Sequence, residues 1–150
     1  MSSDMLSLIV AFFEWKEWTI LRDPETGMVY TFFEGDNATW KLFALCHPER
    51  PILALYSLFP KTVPMNREAE IIQLITKIND GLIIGNFEYS FSHKEIKYRT
   101  SLDATGMPID LKMCNSIAYY NLLAMDQYYR CFDACITAGL AAHESLQVLR

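Results

Sequence analysis

The sequence has no long hydrophobic run. Apolar residues make up 51% of the 150, yet no stretch reaches the roughly 18 uncharged apolar residues that a membrane span needs. Leu6 to Phe13 comes nearest, and Glu14, Lys16 and Glu17 end it. It lacks a basic flank and a small-residue cleavage site, so it does not read as a signal peptide. The expectation is a soluble, cytoplasmic protein with no membrane partner. Basic residues are also scarce: 13 Lys and Arg stand against 18 Asp and Glu, a net charge of −5. Nonspecific nucleic-acid binding needs a basic surface, so nucleic acid is not an expected partner, although a local basic patch stays open.

Chemistry-bearing residues are few and scattered. The three histidines fall in a turn (His47), at a hairpin tip (His93) and in the tail (His143). His47 has only Cys46 beside it, and successive strand residues point to opposite faces, so no metal site is expected. The six glycines form no G-x-G-x-x-G, P-loop or G-x-S-x-G pattern. Gly81-Leu82-Ile83-Ile84-Gly85 is apolar and reads as a helix-to-strand link. The acid pairs Glu14/Glu17 and Glu68/Glu70 read as solvated helix surface. No catalytic residue and no cofactor is expected, and the chain does not read as an enzyme. The four cysteines, Cys46, Cys114, Cys131 and Cys135, form no disulfide framework. Cys131 and Cys135, at i and i+4 of a helix, read as buried small hydrophobes.

What is present is periodicity. Ser2 or Ser3 can cap a first helix that ends near Glu17, with Leu6, Ile9, Val10 and Phe13 at helical spacing. Four strands are expected to follow: Trp18 to Arg22, Met28 to Glu34, Thr39 to Cys46 and Ile52 to Phe59. Short Pro/Gly/Asp turns make them an antiparallel meander. Ile71, Leu74, Ile75 and Ile78 form one apolar stripe of a second helix, with Gly81 at its end. Phe87, Tyr89 and Phe91 alternate with polar residues, as do Ile96, Tyr98 and Leu102, which predicts a hairpin joined at Ser92 to Glu95. Lys97 and Arg99 read as a solvated outer face over a buried Tyr98. Asp110 is placed to cap a long last helix running without Gly or Pro to Gly139. Residues 140–150 read as a short helix or a tail. The whole is one α+β domain over residues 1–150, in the order α-β-β-β-β-α-β-β-α.

The third and fourth strands are apolar on both faces, and one layer of helices covers only one face of a sheet. A partner, or helices on both sides, must cover the second. Phe43, Leu45, Leu53, Leu55 and Phe59 are expected to form the contact face, with Trp40, Leu42, Tyr56 and Leu58 in the core. A one-residue slip in register inverts that assignment.

Glu70 to Asn79, then Gly85 to Tyr89, Ile96 to Arg99, and the helix around Met125-Asp126-Gln127-Tyr128-Tyr129 together resemble the YbjN family, in its cyanobacterial form. The specific part of the resemblance spans about residues 66 to 137; the first half is similar in topology alone. That family is related in fold to type III secretion chaperones, which are small, acidic, mostly dimeric proteins that bind an extended client segment without cofactor or catalysis. The resemblance implies a non-enzymatic, chaperone-like or regulatory homodimer that offers a sheet face, and an edge strand, to a client protein. The alternative is a small-molecule sensor or an enzyme of unknown class, with a pocket between sheet and long helix lined by Tyr119, Tyr120, Tyr128 and Cys131.

Overall fold

The computed structural model describes residues 2–149, and the side chains of residues 2 and 3 lie outside that description, including the expected caps Ser2 and Ser3. Helix α1 (Ser2–Trp15) leads into β1 (Leu21–Arg22), β2 (Val29–Glu34), β3 (Thr39–Cys46) and β4 (Ile52–Leu58). A 3-10 turn at Met65–Arg67 opens α2 (Glu68–Asp80), followed by β5 (Asn86–Ser90), β6 (Glu95–Asp103), α3 (Leu111–Thr137) and α4 (Ala142–Leu146). The six strands form one antiparallel sheet in the order β1-β2-β3-β4-β6-β5. The α+β architecture and element order agree with the pattern read from the chain.

Local chemistry explains the boundaries. α1 stops two residues before Glu17, which adopts the left-handed conformation (φ 59°). The Trp18 amide then bonds back to the Phe13 carbonyl (3.0 Å), the closing bond of a Schellman ending. Trp18 is drawn into an aromatic cluster with Phe12, Phe13 and Phe33, so the first strand is two residues long rather than five. The β5–β6 hairpin turns at Phe91 to Lys94, with Lys94 at φ 57°, which leaves Phe91 exposed in the turn rather than in the strand. Asp110 caps α3 as expected, its carboxylate accepting from the Met113 amide at 3.0 Å. At 27 residues, α3 is about 40 Å long and crosses the sheet.

The tail is packed. Ala142 and Ser145 are fully buried. The Ala142 amide donates to Glu70 Oε2 (2.8 Å), and the Arg67 guanidinium donates to the Cys135 carbonyl (2.8 Å) in the last turn of α3 and to the Leu140 carbonyl in the loop that follows it.

Both apolar clusters use the same face of the sheet. One apolar cluster joins α1 and the first half of α3 to Val29, Leu42, Ala44, Leu53 and Leu55. A second joins α2, α4 and the rest of α3 to Trp40, Phe59, Phe87, Ile96 and Tyr98. A buried polar chain ties the helical layer to the sheet between them. Trp40 Nε1 donates to Ser57 Oγ (2.9 Å), which donates to Asn121 Oδ1. The Asn121 amide nitrogen faces the carbonyls of Leu55 (2.9 Å) and Tyr98 (3.1 Å) and Thr100 Oγ1 (3.1 Å). Thr100 in turn donates to the Ile117 carbonyl (2.8 Å). Carbonyls only accept, so the orientation of the Asn121 amide is fixed.

Candidate functional site

Strand register decides which side chains share a face. Phe43 pairs with Tyr56, Leu45 with Ala54 and Lys41 with Leu58. Odd positions of β3 therefore lie with even positions of β4. Leu53, Leu55 and Phe59, expected at the contact face, are core residues with 0%, 0% and 1% exposure. Tyr56 and Leu58, expected in the core, lie on the other side with Phe43 and Leu45. Trp40 and Leu42 are core as expected. β4 is apolar at both parities, so nothing within its own sequence distinguishes its faces; the loop from His47 to Pro51 sets the parity.

The face away from the helices is open. Tyr30, Phe32, Phe43, Leu45, Ala54, Tyr56 and Leu58 belong to neither core cluster. Every helical residue of those clusters packs against the opposite side. Two rows cross this open face. One runs Leu21, Tyr30, Phe43, Tyr56, Arg99, Asn86; the other runs Phe32, Lys41, Leu58, Lys97, Glu88. Phe43 and Tyr56 stack with centroids 5.0 Å apart and planes at 13°. Lys41 Nζ lies 4.2 Å from the centre of the Tyr30 ring and Lys97 Nζ lies 5.3 Å from that of Tyr56. Such cation–π contacts contribute about 0.5–1 kcal/mol each at exposed sites. Phe32 and Leu45 are the most open apolar positions, 61% and 53% exposed.

Three cations, Lys41, Lys97 and Arg99, meet one acid in these two rows. Glu88 Oε1 lies 3.3 Å from Arg99 Nε, in ion-pair range but outside hydrogen-bond geometry. The remaining acids on this side, Glu34, Glu95 and Asp103, sit at the strand ends. Lys97 and Arg99 flank the buried Tyr98, in the arrangement expected from the chain.

The edge at β5 is closed at its centre. Asn79, from α2, uses its side-chain amide like a neighbouring peptide group: Oδ1 accepts from the Phe87 amide (2.8 Å) and Nδ2 donates to the Phe87 carbonyl (3.1 Å). An added strand would have to displace it.

The residues assigned to one pocket divide between two grooves and the core. Tyr119 lines a groove of about 500 Å³ with Trp18, Phe33, Leu122 and Asp126. Tyr120 and Tyr128 line a second, of about 400 Å³, with Ile83, Ile84 and Tyr98. Leu123 stands between the two grooves, and Cys131 is fully buried in neither. Neighbouring helix residues diverge by about 100° around the axis, so Tyr119 and Tyr120 open on different grooves although their rings meet edge-on, with centroids 5.4 Å apart. The wall of the larger groove is a clamped turn. Asp126 accepts from the Asn37 amide (2.9 Å), and a Cβ on Gly35 would meet the Trp40 ring at 2.7 Å.

The other chemistry-bearing residues are structural. His47 Nδ1 accepts from the Glu49 and Arg50 amides, both at 3.1 Å, and so shapes its turn. Burial pushes the Cys114 and Cys131 thiols up to about 11 and raises that of Cys46, the opposite of what a reactive thiolate needs. Burial likewise pushes the Tyr98 hydroxyl up to about 12; it donates to the Ile84 carbonyl. Among the described residues no group of three His, Cys, Asp or Glu converges on a metal position, and no helix is long and apolar enough to cross a membrane.

No protein-family model matches this chain, and no curated protein matches it. The open face is the strongest candidate on geometry.

Proposed function

We propose that this chain is a non-enzymatic, chaperone-like or regulatory protein-binding module whose open sheet face is its contact surface. One observation carries the reading. The helices pack on one side of a six-stranded sheet and leave the other side with a continuous set of aromatic, aliphatic and cationic side chains. Contiguous apolar surface of that kind marks an interaction site. Nucleobase stacking fits it less well, because a base needs a free ring face. Here Phe43 and Tyr56 stack on each other, and Lys41 and Lys97 lie over Tyr30 and Tyr56. The resemblance to YbjN and the secretion chaperones points the same way in kind.

A homodimer joined face to face would set Lys41, Lys97 and Arg99 of both copies against each other, so the surface is read as a site for a different chain. The test is paired affinity capture with the wild-type protein and a Phe32→Asp/Leu45→Asp variant. Both positions are exposed, so the variant stays folded. A polypeptide held by the wild type and lost by the variant is the expected result. An identical set captured by both overturns the reading.

The groove beside Trp18, Phe33 and Tyr119 supports a second reading, a small-molecule sensor. Its volume of about 500 Å³ falls in the range of ligand sites. A metabolite that raises the melting temperature of the wild type but not of Tyr119→Ala would favour it.

A further inference from the structure

We infer that the occupant of the open face is an acidic polypeptide segment that presents carboxylates and apolar side chains on the same side. This rests on the protein-binding reading above and specifies the partner's chemistry. The chain carries an excess of acid overall, yet the two central rows of this face invert that sign, with three cations against one acid. Among the described residues neither Lys41 nor Lys97 lies within ion-pair distance of an acid. Their ammonium groups rest on aromatic rings instead. A lysine on a ring keeps the far side of its ammonium open to a carboxylate, and the ring orients it. Asp23, at the rim of the face, feels the field of Lys41, but backbone hydrogen bonds from Thr26 and Glu25 hold its carboxyl low and keep it occupied in its own turn.

The apolar component is interleaved with the charge. Along one row the order is Phe32, Lys41, Leu58, Lys97, and the aromatic row lies beside it. A purely acidic segment would leave Phe32, Phe43, Tyr56 and Leu58 uncovered, and a purely apolar one would bury the lysines without partners, which is costly. Spacing sets the pattern. Lys97 and Arg99 are two residues apart on one strand, about 7 Å, which matches the same-face repeat of an extended chain. Lys41 and Lys97 are two strands apart, about 10 Å. Acids two positions apart share the facing side of an extended segment and meet Lys97 and Arg99, and apolar residues at its further same-side positions meet the rings. A second copy of this face brings the same cations and fails on charge.

The test is selection of a random phage-displayed library of short peptides on the immobilised protein, followed by anisotropy titration of the enriched peptides. The expected binders combine Asp or Glu at that spacing with apolar residues. Their affinity should fall about tenfold or more in Lys41→Glu/Lys97→Glu, since reversing two cations replaces attraction with repulsion. It should also fall in Phe32→Ser. Thermal melts confirm that the variants stay folded, both lysines being partly exposed. Basic or uncharged binders that respond to Phe32→Ser and not to the lysine reversal overturn this inference and leave the protein-binding reading standing. A library that yields no binder, or binders insensitive to every open-face variant, overturns both. A single-stranded oligonucleotide that binds and is released by the lysine reversal makes the face a nucleic-acid surface and likewise overturns the inference.

Discussion

Asn121→Ala should be among the most damaging single substitutions outside the aromatic core. The side chain is fully buried and is the node through which α3 is held to β4 and β6. Truncation leaves Ser57 Oγ without its acceptor and removes the donors to the Leu55 carbonyl, the Tyr98 carbonyl and Thr100. A buried group left unsatisfied costs about 1–3 kcal/mol. Two or three such groups at once give an expected loss of about 3–5 kcal/mol, a large part of the stability of a domain this size. Urea denaturation followed by far-ultraviolet circular dichroism measures it, with an unchanged slope confirming that the same surface unfolds. A Ser57→Ala/Asn121→Ala cycle should show coupling of about 0.5–3 kcal/mol, because the two share a bond. Asn121→Asp adds a pH signature. A carboxylate would face two carbonyls, so the folded state favours the protonated acid and raises its pKa above the unfolded value. The variant's deficit is then smallest below about pH 4 and grows as pH rises through the folded pKa. A loss under about 1 kcal/mol for Asn121→Ala, or strict additivity in the cycle, would refute the account of this network.

Three further outcomes follow from the geometry. Leu55→Ala should cost about 2–5 kcal/mol and Leu45→Ala within about 0.5, by the same denaturation assay; the reverse order would exchange the two sheet faces. Gly85→Ala should cost at least about 1 kcal/mol more than Gly27→Ala: both glycines have positive φ, but only at Gly85 does a new Cβ meet the Tyr98 hydroxyl, at 2.6 Å, and the Arg99 carbonyl, at 2.8 Å. Native thiol labelling should modify Cys46 first, and Cys114, Cys131 and Cys135 only on unfolding, as followed by mass spectrometry; early labelling at Cys131 would contradict its burial.

Elements with one clean period were legible in the sequence. The stripe Ile71, Leu74, Ile75, Ile78 and the cap Asp110 each follow from local chemistry, and the structure has them in place. The open face was half legible. Phe43 and Leu45 stand out in their strand, but their neighbours Tyr56 and Leu58 depend on a pairing parity that β4 does not encode by itself. Lys41, Tyr30 and Phe32 join Tyr56 and Leu58 in one surface only once three strands are in register. Asn79 and Asn121 were missed because a polar residue on a helix reads as surface until its buried partners are known. Each joins backbone groups that are remote in the sequence from ordinary helix contacts, and no periodicity reports that. The expected pocket set was divided for a similar reason: Tyr120 and Tyr128 share one groove, Tyr119 opens on another, and Cys131, three turns further along α3 than Tyr120, is buried in the core.

The most direct test of the open face as a protein-binding surface is site-specific photo-crosslinking in the native lysate. A photoreactive residue replaces Leu45 on the open face, or Gln73 on the exposed side of α2, and adducts are read by mass shift and sequencing. The account predicts a discrete polypeptide adduct from position 45 that is absent from position 73 and is lost when Lys41→Glu/Lys97→Glu is added. No adduct from position 45, or the same adducts from both positions, would contradict it.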